Sequence, residues 1–186
     1  MRNLVKGAVS GTVATAAMSV VMVAGSRVGL MRDQPPKRIA RAALPGHKHR
    51  PKAGEGVVGA LAHVGFGATA GGLFGLLARG HRIPAAAGVG YALTIWISSY
   101  EGWIPSLDIL PPISGDRPGR PMVMAMGHVV YGATLALTLS GLNARRPKSH
   151  DLAVAQRAGV HGRADEAGGR GGEDAVSARS TTPLDT

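Results

Sequence analysis

Two histidines stand in matching ten-residue segments of this chain, 65 positions apart. His63 lies within ALAHVGFGAT and His128 within AMGHVVYGAT, which share the pattern A-x-x-H-V-x-[FY]-G-A-T. An ionisable side chain inside an apolar stretch marks a functional site by default, and histidine titrates at about pH 6.5. The pair therefore indicates an intramembrane polar site that binds a proton or a cation, with Tyr131 and Glu101 as further members.

A structural reading of the same histidines is favoured over the functional one. A neutral imidazole that hydrogen-bonds a neighbouring helix fixes packing, and such bonds are common between membrane helices. Phe66 and Gly67 follow His63 at i+3 and i+4, and Tyr131 follows His128 at i+3, so both histidine faces are predicted to turn inward. For Glu101, the interpretation as a surface carboxylate beside Trp103 is likewise favoured over membership of the polar site.

The segments that carry the histidines are long and apolar. A helix needs about 20 apolar residues to cross the hydrocarbon core of a bilayer. The sequence therefore predicts an all-α, polytopic membrane protein with a four-helix transmembrane bundle. A short interfacial helix is predicted at about 36–44, in the loop between the first and second spans. The four predicted spans cover residues 4–24, 56–78, 83–100 and 122–142.

The bundle is predicted to consist of two tandem two-helix repeats. Each repeat has a helix, a turn with a Pro-Pro pair and a second helix with the histidine segment. Two spans return the chain to its starting side, so the copies share one orientation and are related by an axis along the membrane normal. The first turn matches the second at Gly25 with Gly102, Leu30 with Leu107, and Pro35 with Pro112.

The basic residues stand between the apolar stretches. The net charge is +10, yet two Trp, three Tyr and two Phe are few for base stacking, so nucleic acid is not expected as a partner. Membrane lipids are the expected partner, because basic residues beside apolar spans contact anionic head groups. The predicted headgroup contacts are Lys37, Arg38, Arg41, Lys48, Arg50 and Lys52.

Several chemistries are not expected. The chain has no cysteine, which excludes disulfides and thiolate metal sites. It also lacks the G-x-S-x-G, H-E-x-x-H and phosphate-loop patterns, so we expect no enzyme activity, no metal and no cofactor. Residues 143–186 are rich in Gly, Arg and acidic residues, and this composition predicts a disordered hydrophilic tail.

Three functional hypotheses follow. The first is a non-enzymatic membrane protein whose inward histidines organise the bundle and sense pH. The second is a small proton, ion or solute transporter or channel subunit that assembles as a homo-oligomer, and the third is an intramembrane enzyme. Both termini are expected in the cytoplasm, because a short basic N-terminus resists translocation, although the first loop carries eight basic residues.

A resemblance to a known group rests on two short motifs. Pro35-Pro36-Lys37 follows the first span, and Gly127-His128-Val129 lies in the last. With four spans and a basic N-terminus, the first 142 residues resemble the YagU-like group of small bacterial inner-membrane proteins. The resemblance implies four spans, the bacterial inner membrane, and a role loosely linked to acid tolerance.

Overall fold

The structure is a computed structural model that describes residues 1–31, 34–47 and 50–144. The described residues are all-helical and contain no strand. The chain divides into two units, Met1–Arg145 and Arg146–Thr186, and the second lies outside the described residues. Lys48 and the predicted tail from residue 145 onward also lie outside them. The helices are α1 (Arg2–Arg27), α2 (Pro35–Ala43), α3 (Glu55–Leu77), α4 (Ala85–Ser98), α5 (Ile104–Ser106) and α6 (Gly119–Ala144).

Three of these helices, α1, α3 and α6, are long and apolar enough to cross a membrane. They have 26, 23 and 26 residues, and they extend over the first, second and fourth predicted spans. Their outer faces carry large apolar side chains such as Val20, Leu61 and Leu77, each about 70 % exposed. Contiguous apolar surface of this kind suits lipid rather than water. The chain is therefore a membrane protein.

The third predicted span, residues 83–100, differs from the other three. Here α4 has only 14 residues and continues into a five-residue π-helical turn, Ser99–Trp103. Gly102 leaves helical geometry, with φ −97° and ψ −106°, and this kink lets the short helix α5 follow in a new direction. By itself α4 is too short to count among the candidate spans.

A ladder of glycines brings α1 and α3 into backbone contact. Gly7 and Gly11 of α1 lie against Gly67, Gly71 and Gly75 of α3. A Cβ atom on Gly11 would overlap the carbonyl oxygen of Gly67, so no larger residue fits there. In lipid no hydrophobic effect drives helices together, and close backbone approach supplies the packing energy instead.

The pair α4 and α6 makes a contact of the same type. A Cβ on Gly88 would overlap the carbonyl oxygen of Gly132, and a Cβ on Gly132 would overlap that of Gly88. Between the two pairs, α1 packs on α6, where Gly127 would bring a Cβ within 3.2 Å of Met18 Cγ. The helix α1 is thus central, with α3 on one side and α6 followed by α4 on the other.

The two ends of the bundle are closed differently. At one end Lys6 Nζ donates to the carbonyl of Leu142 at 2.6 Å, and Asn143 Nδ2 donates to the carbonyl of His81 at 3.1 Å. A cation at the C-terminus of α6 complements the helix dipole. At the other end α2 packs on α3, with the carbonyl of Pro36 against Gly59. The start of α1 and the end of α6 therefore lie together.

We expect Gly11→Ala and Gly88→Ala to destabilise the protein by about 1–3 kcal/mol, because each methyl group overlaps a backbone carbonyl. Thermal unfolding in detergent measures the effect. Gly65→Ala and Gly90→Ala are matched controls in the same kind of helix, where a Cβ meets nothing within 4 Å. Equal unfolding temperatures for all four variants would contradict the close glycine contacts.

Candidate functional site

The site is an apolar cavity of about 220 Å³ between α3 and α4. α1 and α6 contribute to its inner wall, and α2 lies across one end. His63 of α3 and His128 of α6 both line it. The other lining residues are Met18, Pro35, Pro36, Ile39, Ala62, Phe66, Ile95, Trp96, Ser99, Tyr100, Trp103, Ile104 and Met124.

A pair of aromatic rings lies between α3 and α4, about one turn of α4 from the cavity lining. The Tyr91 ring stacks on Phe74 with centroids 4.9 Å apart, and Tyr91 Oη donates to the carbonyl of Ala70 at 2.8 Å. The residue at the corresponding position of α1 is Ala14, which is fully buried. The two corresponding positions thus carry side chains of very different size, a methyl group in α1 and a phenol in α4.

The two histidines differ in their hydrogen bonds. His128 Nδ1 lies 2.8 Å from the carbonyl oxygen of Met124, one turn earlier in the same helix. A carbonyl only accepts, so Nδ1 carries the proton and donates, which leaves Nε2 as an acceptor. His63 Nε2 is buried without a hydrogen-bond partner. The hydrogen bond of His128 therefore stays within its own helix, and His63 Nε2 makes no bond to a neighbouring helix.

The hydrogen bonds that cross between helices near the histidines come from tyrosines. Tyr131 Oη donates to the carbonyl of Gly67 at 2.7 Å, which joins α6 to α3. Tyr91 joins α4 to α3 in the same way. Tyr131 also lines a smaller cavity of about 30 Å³ together with His63 and His128. These three members of the predicted polar site therefore lie on one small cavity.

A charged cluster stands behind the cavity wall. Tyr100 Oη donates to the carboxylate of Asp116, and Arg120 Nη1 donates to both oxygens of that carboxylate at 2.8 and 3.0 Å. Tyr100 is about 1 % exposed and lines the cavity. The cluster fixes one wall of the cavity and ties the π-helical turn to the start of α6.

A second ion pair fixes the start of α3. Arg41 makes a two-pronged contact with Glu55 at 2.7 and 2.8 Å, and both residues are buried. Lys37 Nζ lies 3.4 Å from the same carboxylate. Lys52 Nζ donates to the carbonyls of Arg41 and Leu44, at the end of α2. Glu55 and Arg120 occupy matching positions, 65 apart, at the starts of α3 and α6.

These contacts bear on the predicted lipid-binding residues. Arg41 and Lys52 are engaged within the protein rather than directed to head groups. Lys37 is about 45 % exposed in its side chain, and Arg50 is exposed. Arg38 is half-buried, and Lys48 lies outside the described residues.

The remaining candidate, Glu101, does not line the cavity with the histidines. It is exposed and accepts a hydrogen bond from the backbone N–H of Ile113 at 2.8 Å. This geometry stabilises the loop before α6 and agrees with the alternative reading of a surface carboxylate.

Sequence reasoning missed most of the cavity lining, and Trp96 is the most informative of the missed residues. The centroid of its indole ring lies 6.2 Å from the centroid of the His128 imidazole, and its Nε1 is buried without a hydrogen-bond partner. A signal existed, since Trp96 and Trp103 are the chain's two tryptophans and lie seven residues apart. Other lining residues that it missed include Ser99, Tyr100, Trp103 and Met124.

The site and fold define a helical membrane protein with a histidine-lined apolar cavity. Residues 1–150 match the model of DUF6789, a family of unknown function, and the chain belongs to this family. No curated protein matches the chain. No solved structure matches it either.

We expect Glu55→Gln to lower the midpoint of thermal unfolding in detergent by several degrees. Removal of the carboxylate charge leaves the buried Arg41 guanidinium without its ionic partner, and such a loss is strongly destabilising. Glu101→Gln is the matched control, because that carboxylate is exposed. If both variants unfold at the same temperature, the ion pair does not anchor α2 to α3.

Proposed function

We propose that this protein is a non-enzymatic, multi-pass protein of the bacterial inner membrane that binds a small, uncharged molecule drawn from the bilayer. The observation that carries the proposal is the shared position of His63 and His128 on one apolar cavity. Ligand sites in proteins are concave and mostly apolar, with a few placed polar groups that fix orientation. This cavity has that character.

We also propose that α4 and the π-helical turn form a fourth membrane span. α4 and the π-helical turn together cover residues 85–103, and at about 1.5 Å per residue they reach roughly 28 Å. The hydrocarbon core is about 30 Å thick. An even number of spans agrees with the meeting of Lys6 and Leu142 at one end of the bundle, and we propose that this end is cytoplasmic.

The proposal also includes two tandem repeats, α1 with α3 and α4 with α6. The contact of Gly11 with Gly67 corresponds to the contact of Gly88 with Gly132, at the offsets of 77 and 65 residues that the sequence motifs have. The ion pairs at the starts of α3 and α6 support the same correspondence. The cavity then lies between the second helix of one repeat and the first helix of the other.

A purely structural role for the histidines agrees less well with the contacts. Packing by histidine requires a hydrogen bond to another helix, and here His128 bonds its own helix while His63 Nε2 has no partner. The tyrosines supply the interhelical bonds instead. A buried polar group without a partner costs about 1–3 kcal/mol, and a bound ligand would offset that cost.

Proton or ion transport is the second candidate, favoured by two imidazoles on one cavity. A cation in an apolar environment needs an acidic or dipolar partner. Among the described residues that line the cavity, none is Asp or Glu. We therefore place uptake of an uncharged molecule ahead of ion transport, and ahead of pH sensing by the histidine pair.

We expect His63→Leu to leave the stability of the ligand-free protein unchanged or slightly higher, because it removes an unpartnered polar atom from an apolar wall. Tyr131→Phe is expected to lose about 0.6–1.7 kcal/mol with its interhelical hydrogen bond. Denaturation in mixed detergent micelles compares the two variants. A larger loss for His63→Leu than for Tyr131→Phe would support the packing role instead.

A variant that fills the cavity tests the proposed binding of a small molecule. We expect Ala62→Trp to fill the cavity from the α3 side and to abolish thermal stabilisation by bilayer extracts. Ala16→Trp, at an exposed position of α1 outside the cavity lining, is the control. Proteoliposomes that conduct protons, with conductance lost in His63→Leu, would replace the binding role by transport.

A further inference from the structure

The polar groups of the cavity also specify the chemistry of its ligand, an inference that rests on the proposed binding function. Its size sets the first limit. An engineered cavity of about 150 Å³ in another protein holds one benzene ring, so about 220 Å³ accommodates a single substituted ring and little more. A haem or a whole phospholipid is too large.

The wall limits the ligand further. Phe66, Trp96, Tyr100 and Trp103 present aromatic surface to the cavity, and aromatic rings prefer offset or edge-to-face contacts with another ring. No Asp, Glu, Lys or Arg stands among the described residues of the lining. A charged ligand would lose its hydration without compensation, so the ring must be neutral.

Two nitrogen atoms define the hydrogen bonds that a ligand must make. His128 Nε2 is an acceptor, because Nδ1 of the same ring donates to Met124. The indole of Trp96 is a donor only, and its Nε1–H is buried without a partner. A single ligand group that both donates and accepts is a hydroxyl, and His63 Nε2 is likewise buried without a partner.

The rim of the cavity indicates where the rest of the ligand lies. Phe66 is 55 % exposed and Trp103 is 41 % exposed, and both stand at the edge of the gap between α3 and α4. In a bilayer this gap faces lipid, so an apolar tail attached to the ring has a place outside the cavity. A soluble phenol without a tail has the same ring chemistry and is the other candidate source of the ligand.

We propose that the cavity binds a hydroxylated aromatic ring, of the phenol or quinol class, with the ring hydroxyl between His128 Nε2 and the indole N–H of Trp96. The ring occupies the aromatic cavity, and any tail lies between α3 and α4 in the bilayer. The reduced, hydroxyl-bearing form binds more tightly than the oxidised quinone, which has no hydrogen to donate to His128.

The full chain in lipid nanodiscs provides a direct assay. Its two tryptophans, Trp96 and Trp103, both line the cavity, so intrinsic fluorescence reports on this site alone. The probes are a short-chain prenylated benzoquinol kept anaerobic, the matching quinone, trimethylphenol and trimethylbenzene. We expect saturable quenching by the quinol and the phenol, and binding about tenfold weaker for the quinone and trimethylbenzene.

Variants assign the hydrogen bonds. Trp96→Phe and His128→Leu are each expected to weaken quinol binding about tenfold while leaving trimethylbenzene binding unchanged. The control is His81→Gln, because His81 lies in the short turn before α4 and not in the cavity lining. Trp103 reports binding in Trp96→Phe. Tighter binding of the tailed quinol than of the phenol at equal membrane content supports a bilayer source, and the reverse supports a soluble phenol.

Two negative results have different meanings. Equal affinity for quinol, quinone and trimethylbenzene, insensitive to both variants, overturns the hydroxyl inference but leaves the proposed binding of apolar molecules intact. Absence of saturable quenching by any of the four probes, in a protein that unfolds cooperatively, overturns the hydroxyl inference. Absence of stabilisation by bilayer extracts as well overturns the binding function.

Discussion

Backbone contact through glycine is the interaction on which the rest of this structure depends. Between lipid-immersed helices there is no water to expel, so packing energy comes from close van der Waals approach. Gly11 against Gly67, and Gly88 against Gly132, bring helix axes together where any side chain would overlap a carbonyl. These two contacts fix the pairs α1–α3 and α4–α6, which carry both histidines and Trp96 of the cavity.

The two helix pairs contact each other closely on one side, between α1 and α6, and leave the cavity on the other, between α3 and α4. On one side Ala14 allows α1 to pack closely on α6. On the other side the Tyr91 and Phe74 rings stand between α4 and α3, about one turn of α4 from the cavity that His63 and His128 line. The cavity thus lies at the junction where the two helix pairs carry residues of different size.

The polar groups at the cavity's end also connect structure with function. The cluster of Tyr100, Asp116 and Arg120 holds one wall, while Arg41 and Glu55 hold α2 across the end. Charged pairs buried at a membrane surface are costly to separate, and they therefore keep these elements in one arrangement. Rigid walls are what a small ligand site needs, because an ordered cavity loses little entropy when it is filled.

The sequence by itself determined much of this protein. Its apolar stretches predicted helices at the membrane and a short basic helix after the first. Helical spacing placed Phe66 and Tyr131 on the predicted inward faces; Tyr131 is buried, whereas Phe66 is 55 % exposed at the edge of the cavity. These features are local, since length, period and glycine spacing act within one helix. The sequence also left open whether Glu101 joined the histidines, because that question depends on a loop.

Only the tertiary structure decided how the helices meet. Arg41 resembles a surface cation in sequence, yet it is buried with Glu55, fourteen residues away, because α2 folds back onto α3. Trp96 reaches the cavity because α4 packs on α6 beside His128, a contact between residues 32 positions apart. Periodicity within a helix cannot specify its partner, since that choice depends on side-chain volumes on several helices at once.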